Sequence, residues 1–117
     1  MRRVMMMLGV AMLLAVVTAG AAVAVTKTCS SVPCEGTNNE DVLHEREGSV
    51  QDRILAFADR DLLDANNYFK DRDVLEGGGG PDKLLANDRD GRDVLRGGSG
   101  RDRCFGDPGD EFFNCEI

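Results

Sequence analysis

Gly77-Gly78-Gly79-Gly80-Pro81-Asp82-Lys83-Leu84-Leu85 and Gly97-Gly98-Ser99-Gly100-Arg101-Asp102-Arg103-Cys104-Phe105 decide how this chain folds. Both read Gly-Gly-x-Gly-x-Asp-x-U-x, where U is an apolar position that Cys104 takes in the second copy. Outward from these two, the acid-x-apolar triplet recurs as Asp41-Val42-Leu43, Asp52-Arg53-Ile54, Asp61-Leu62-Leu63, Asp73-Val74-Leu75 and Asp93-Val94-Leu95. Glu111-Phe112-Phe113 reads as the last of eight copies. The steps between apolar positions are 11, 9, 12, 9, 11, 9 and 9 residues. Self-similarity at a short fixed period is the sequence signature of a solenoid.

The local chemistry of each copy agrees. The residues two before each acid are Asn39, Val50, Asp59, Asp71, Gly80, Gly91, Gly100 and Gly109. Seven of these eight are Gly, Asn or Asp, the types that tolerate a left-handed backbone, so a tight turn precedes each acid. The apolar residue two after the acid stands between polar neighbours, which describes a very short strand with one inward side chain. Leu43, Ile54, Leu63, Leu75, Leu84, Leu95 and Cys104 are therefore the expected core. Alternating turns and short strands wind into a coil whose side chains stack between circuits.

The two full copies resemble the haemolysin-type (RTX) calcium-binding nonapeptide repeat. The resemblance spans about two thirds of the chain and implies an all-β fold, a parallel β-roll or right-handed solenoid, with two repeats per circuit. Copies starting at Gly36, Ala56, Gly77 and Gly97 are nine residues long. Those starting at Glu45, Ala65 and Ala86 have 11, 12 and 11 residues, and the one at Gly106 returns to nine. Alternate copies turn on opposite edges, so one edge is regular and the other carries enlarged loops.

The resemblance also implies calcium, held between adjacent coils by turn carbonyls and aspartates. Calcium takes six to eight oxygen ligands, and glycine turns let carbonyls converge. Carried onto this chain, a first site uses the carbonyls of Gly77 and Gly79 with Asp82, and those of Gly98 and Gly100 with Asp102. A second uses Ala56, Ala58 and Asp61 with Gly78, Gly80 and Asp82. A third uses Gly36, Asn38 and Asp41 with Phe57, Asp59 and Asp61, where Phe57 and Asp59 stand in place of two glycines. Asp52, Asp73 and Asp93 keep the acidic position on the looped edge, where inserted residues disturb the carbonyl register. Asn87-Asp88-Arg89-Asp90-Gly91 looks like the start of an EF-hand loop but lacks its later acids.

Met1-Arg2-Arg3, an uncharged run from Val4 to Val25 and the tripeptide Ala22-Val23-Ala24 describe a secretory signal peptide over residues 1–24. An uncleaved anchor is the rival reading, since 22 uncharged residues could span a bilayer. Residues 25–35 are then an N-terminal cap segment and 36–117 the roll. Losing Arg2 and Arg3 takes the net charge from −7 to −9. So acidic a chain is not a nucleic-acid binder, which needs clustered Lys and Arg. Membrane contact is expected only through the signal segment.

Cys29, Cys34, Cys104 and Cys115 make an even count in an exported protein, which points to disulfides. Three connectivities exist. Local pairing, 29 with 34 and 104 with 115, is the simplest and staples both ends. His44 with Glu45 and Glu47 mimics a catalytic cluster, but no catalysis is expected. The expected function is a secreted, extracellular, non-catalytic calcium-binding protein. The alternative is a cell-surface, adhesin-like module whose looped edge (45–50, 65–72, 86–92) meets an extracellular partner. A secreted hydrolase ranks last, because almost no chain lies outside the repeats.

Overall fold

The computed structural model describes residues 23–48, 50–67 and 71–116. The signal segment expected over 1–24, except its last two residues, lies outside them, as do Tyr68 and Phe69, read from sequence as packing or capping residues.

Ten strands of two to four residues follow one another: β1 Thr26–Thr28, β2 Cys34–Glu35, β3 Val42–His44, β4 Arg53–Leu55, β5 Leu62–Asp64, β6 Val74–Glu76, β7 Lys83–Ala86, β8 Val94–Arg96, β9 Arg103–Gly106 and β10 Glu111–Phe113. Odd strands form one parallel sheet in the order β1-β3-β5-β7-β9, and even strands a second in the order β10-β8-β6-β4-β2. Each circuit adds one strand to each sheet, so the chain is a β-solenoid with parallel sheets, as the repeat implies. The cap segment 25–35 contributes β1 and β2, which pair with β3 and β4 and so extend both sheets by one strand.

A strand of three residues can point only its middle side chain inward. That explains the core. One column runs Leu43, Leu63, Leu84 and Cys104, in register across the odd strands. The other runs Cys34, Ile54, Leu75 and Leu95 across the even strands. All six Leu and Ile side chains in these columns are fully buried. Ala56 and Ala65, at corners where the chain leaves β4 and β5, and Ala86 at the end of β7 are buried as well. Lys27 occupies the register position next to Leu43, so the first column ends on an exposed cation.

Outside, the sheets are polar. Glu76 lies between Arg53 at 3.0 Å and Arg96 at 3.3 Å. Exposed pairs of this kind contribute little to stability.

Both local disulfides form, Cys29–Cys34 and Cys104–Cys115. The first closes the turn between β1 and β2. After β10 the chain turns at Asn114, and the N–H of Glu116 donates to the carbonyl of Asp102 at 2.8 Å. This return lays Cys115 against Cys104 at the end of the core.

The structure corrects the last repeat by one residue. Phe112, not Phe113, pairs with Leu95 and packs against the core, while Phe113 is exposed beside Arg96. The acid of that copy is Asp110, whose Oδ1 accepts the N–H of Asp93 at 2.9 Å, and not Glu111. The last turn on the looped edge is therefore shorter, not longer, than those of the regular edge.

This register predicts unequal effects at neighbouring positions. Phe112→Ala should cost about 2 kcal/mol in chemical denaturation, from lost burial and the cavity left behind. Phe113→Ala should cost less than about 1 kcal/mol, the worth of an exposed ring under a guanidinium. Equal losses would contradict the register.

Candidate metal centre

The acids at the turn exits form two columns, one on each edge. On the regular edge the N–H of Asp41 donates to Oδ1 of Asp61 at 2.8 Å, that of Asp61 to Asp82 at 2.9 Å, and that of Asp82 to Asp102 at 2.9 Å. On the looped edge Asp52 donates to Asp73 at 2.7 Å, Asp73 to Asp93 at 2.7 Å, and Asp93 to Asp110. The main chain answers in the other direction: the N–H groups of Leu62, Lys83 and Arg103 donate to the carbonyls of Asp41, Asp61 and Asp82. Each internal aspartate thus clamps two coils through one carboxylate oxygen and its own peptide groups.

The second oxygen separates these residues into two classes. In Asp61, Asp73, Asp82, Asp93 and Asp102, Oδ2 is buried with no hydrogen-bond partner among the described residues. In Asp41 it accepts the N–H of Thr37 at 2.6 Å and the Thr37 hydroxyl at 3.2 Å, while Oδ1 accepts the N–H of Val25. In Asp52, Oδ2 accepts the N–H of Arg46, whose Nε sits 2.6 Å from Oδ1. Those two carboxylates are committed to their own turns. A buried anionic oxygen without a donor is costly, and a cation or a proton is the ordinary remedy.

Three of the four regular-edge turns share one backbone shape. Positive φ falls on the second and fourth residues of three successive turns: Phe57 and Asp59, Gly78 and Gly80, Gly98 and Gly100. The turn Gly36–Asp41 shows no such residue. Phe57 and Asp59 therefore keep the glycine conformation without being glycine. Space explains why they are admitted. A Cβ on Gly78 would overlap the carbonyl of Phe57, and one on Gly98 that of Gly78. Phe57 instead faces the differently shaped first turn, beside Gly36, Thr37 and Asn38, and its ring is exposed. Its left-handed backbone still costs roughly 1–2 kcal/mol.

The structure places the sequence-predicted residues as follows. Asp61, Asp82 and Asp102 stand in one column beside the turns holding Ala56, Ala58 and Gly77 to Gly80, with Gly98 and Gly100 in the last turn. Asp41 heads the same column with both oxygens occupied. Asp73 and Asp93 lie on the opposite edge in a denser acidic setting. There Asp71, Asp73, Asp88 and Asp93 are all buried and bring one oxygen each within 4.8 Å of one another. Glu45 with Asp52 and Asp73, and Asp90 with Asp93 and Asp110, form two further groups. Sequence reasoning assigned no ligand role to Asp71, Asp88, Asp90 or Asp110. The available signal was the acidity of the inserted residues themselves, with Asp88 and Asp90 in one loop.

Burial raises the affinity of these carboxyls for protons. It pushes Asp61 to about 6, Asp82 to about 7 and Asp93 to about 8, with backbone hydrogen bonds opposing and neighbouring acids adding. Asp73 rises strongly for the same reason. His44, the chain's one histidine, has Nδ1 3.3 Å from Asp64, its cross-strand neighbour on the odd-strand sheet.

The RTX calcium-binding nonapeptide repeat (four copies) matches residues 70–88 and 85–110. No curated protein and no solved structure matches the chain.

Two predictions test the geometry. Gly98→Ala forces a Cβ into the carbonyl of Gly78 at a φ of 91° and should cost about 3 kcal/mol or more, whereas Phe57→Gly should be neutral or stabilising in the same denaturation assay. The second concerns pH. Raised carboxyl pKa values mean that the calcium-free folded state binds more protons than the unfolded chain. Their contribution to stability is then full below about pH 4 and lost as pH rises through 6 to 8. Thermal melts in chelator should accordingly fall from pH 5 to pH 8, and saturating calcium should abolish or reverse that slope.

Proposed function

We propose that the chain, whose residues 70–88 and 85–110 match the RTX nonapeptide repeat, is a secreted, non-catalytic calcium-binding β-roll whose ordered state depends on the ion. The observation that carries the reading is the row of partnerless Oδ2 atoms on Asp61, Asp82 and Asp102, beside three turns of one backbone shape. Gly77, Gly79 and Asp82 with Gly98, Gly100 and Asp102 would hold one ion, and Ala56, Ala58 and Asp61 with Gly78, Gly80 and Asp82 a second. The third position inferred from sequence, at Gly36 to Asp41, is left out, because Thr37 and Val25 take up the Asp41 carboxylate. Calcium would supply the positive charge that the column lacks and draw adjacent coils together.

Several observations support the wider reading. Two disulfides suit an oxidising compartment, and the N-terminal Arg-Arg, apolar run and Ala-x-Ala suit export. A thin core with a net charge of −9 after export gives the apo chain a small margin. Ligand that binds only the folded state shifts the equilibrium toward it. Extracellular calcium modules work at about 10⁻⁴–10⁻³ M, the range expected here. The His44–Asp64 pair lies half-buried on the odd-strand sheet, flanked in register by Thr28 and Leu85, a setting that favours a non-catalytic role.

Far-UV circular dichroism of the full chain, titrated with calcium and then chelator, tests the proposal. β signal should rise and fall with the ion, and magnesium should substitute poorly. Asp82→Asn should weaken calcium-dependent folding at least tenfold in midpoint, since that carboxylate serves both sites. Full β signal in chelator, with no calcium retained on dialysis at millimolar concentration, would refute it.

A further inference from the structure

We propose that the looped edge carries a divalent-cation site of a different kind, made by the carboxylates of Asp71, Asp73, Asp88 and Asp93. It shares no ligand with the glycine-turn sites.

The four residues come from two adjacent loops. Asp71 and Asp73 belong to the loop between β5 and β6, and Asp88 and Asp93 to that between β7 and β8. All four are more than nine-tenths buried, at 6%, 0%, 5% and 0% exposure. Their remaining hydrogen bonds define which oxygens are available. Oδ1 of Asp73 accepts the N–H of Asp52, Oδ1 of Asp93 that of Asp73, and Oδ1 of Asp88 that of Asp90 at 3.1 Å. Oδ2 of Asp73, Asp88 and Asp93 and both oxygens of Asp71 have no partner. Among the described residues no Lys or Arg forms an ion pair with any of the four.

The two overlapping groups differ on this point. Asp52 is neutralised by Arg46, and both oxygens of Asp110 accept backbone N–H groups, from Asp93 and Asp107.

Four buried oxygens no more than 4.8 Å from one another fit within one calcium shell, in which oxygens at about 2.3–2.6 Å from the ion lie up to about 4.6–5.2 Å apart. Charge orders the sites. Four carboxylates face this ion, against two for each glycine-turn site, and ligand charge is a main determinant of calcium affinity. The looped edge therefore fills first. Asp71, from the turn position two before Asp73, and Asp88, from a longer loop, add two carboxylates to the repeat's own Asp73 and Asp93.

The test is calcium binding to the full chain by equilibrium dialysis, with circular dichroism to report folding. The wild type should bind three ions, one at least tenfold more tightly than the others. Asp71→Asn/Asp88→Asn should lose that tight ion and keep the remaining two. Asp82→Asn should keep the tight ion. A wild-type count of two or fewer would overturn the inference, and so would a double variant with unchanged count and affinities. If the double variant does not fold, the tight ion retained or lost by Asp82→Asn decides. Loss of only the tight class from expectation leaves the glycine-turn reading standing, while no calcium bound to any chain removes both.

Discussion

The bond from each turn-exit peptide N–H to the aspartate of the neighbouring coil is the constraint on which the rest of the structure depends. It sets the spacing of the coils, the register of both hydrophobic columns and the position of every spare carboxylate oxygen. It also creates the central difficulty. Coils stack about 4.8 Å apart, so each bond places like charges at that separation. At an effective dielectric near 20, neighbouring carboxylates then repel by about 3 kcal/mol. A hydrogen bond to a charged group returns about 1.5–3 kcal/mol. The ladder alone cannot carry its own charge, and either protons or cations must be taken up. The raised proton affinities of Asp61, Asp82 and Asp93 express the same imbalance.

One repeat answers this difficulty differently on the two edges. On the regular edge, glycines at 78, 80, 98 and 100 keep successive backbones so close that no side chain fits between them. On the other edge the turns bury carboxylates, those of Asp71, Asp73, Asp88 and Asp93. Both arrangements could surround a cation with oxygen, one through dipoles and the other through full charges. The first turn, at Gly36–Asp41, takes a third course and caps its aspartate with Thr37.

Much of this could be read in the sequence because the repeat is short and its punctuation regular. The inward positions from Leu43 to Cys104 followed from spacing, the division into two edges from the resemblance to the RTX repeat, and the stapled ends from the simplest of three cysteine pairings. The final copy was misread because Asp110-Glu111-Phe112 and Glu111-Phe112-Phe113 satisfy the same pattern. Only closure of the last turn chooses between them, and that depends on three-dimensional distance. Phe57 and Asp59 looked like defects because side chains disfavour positive φ. They are accommodated because the turn below them has another shape, which the local pattern does not encode. Asp71 stood at the regular offset two before its acid and read as a turn former, while Asp88 lies in a loop insertion, which has no register until the flanking strands fix one.

A stack of identical coils has no intrinsic length, because each open sheet edge is a template for the next strand. At one end of this molecule Lys27 stands where another leucine would continue the column, and at the other the returning segment at Glu116 covers β9. A cation placed over an apolar column makes docking of a second molecule there costly. These two stops oppose end-to-end growth of a chain rich in self-complementary strands.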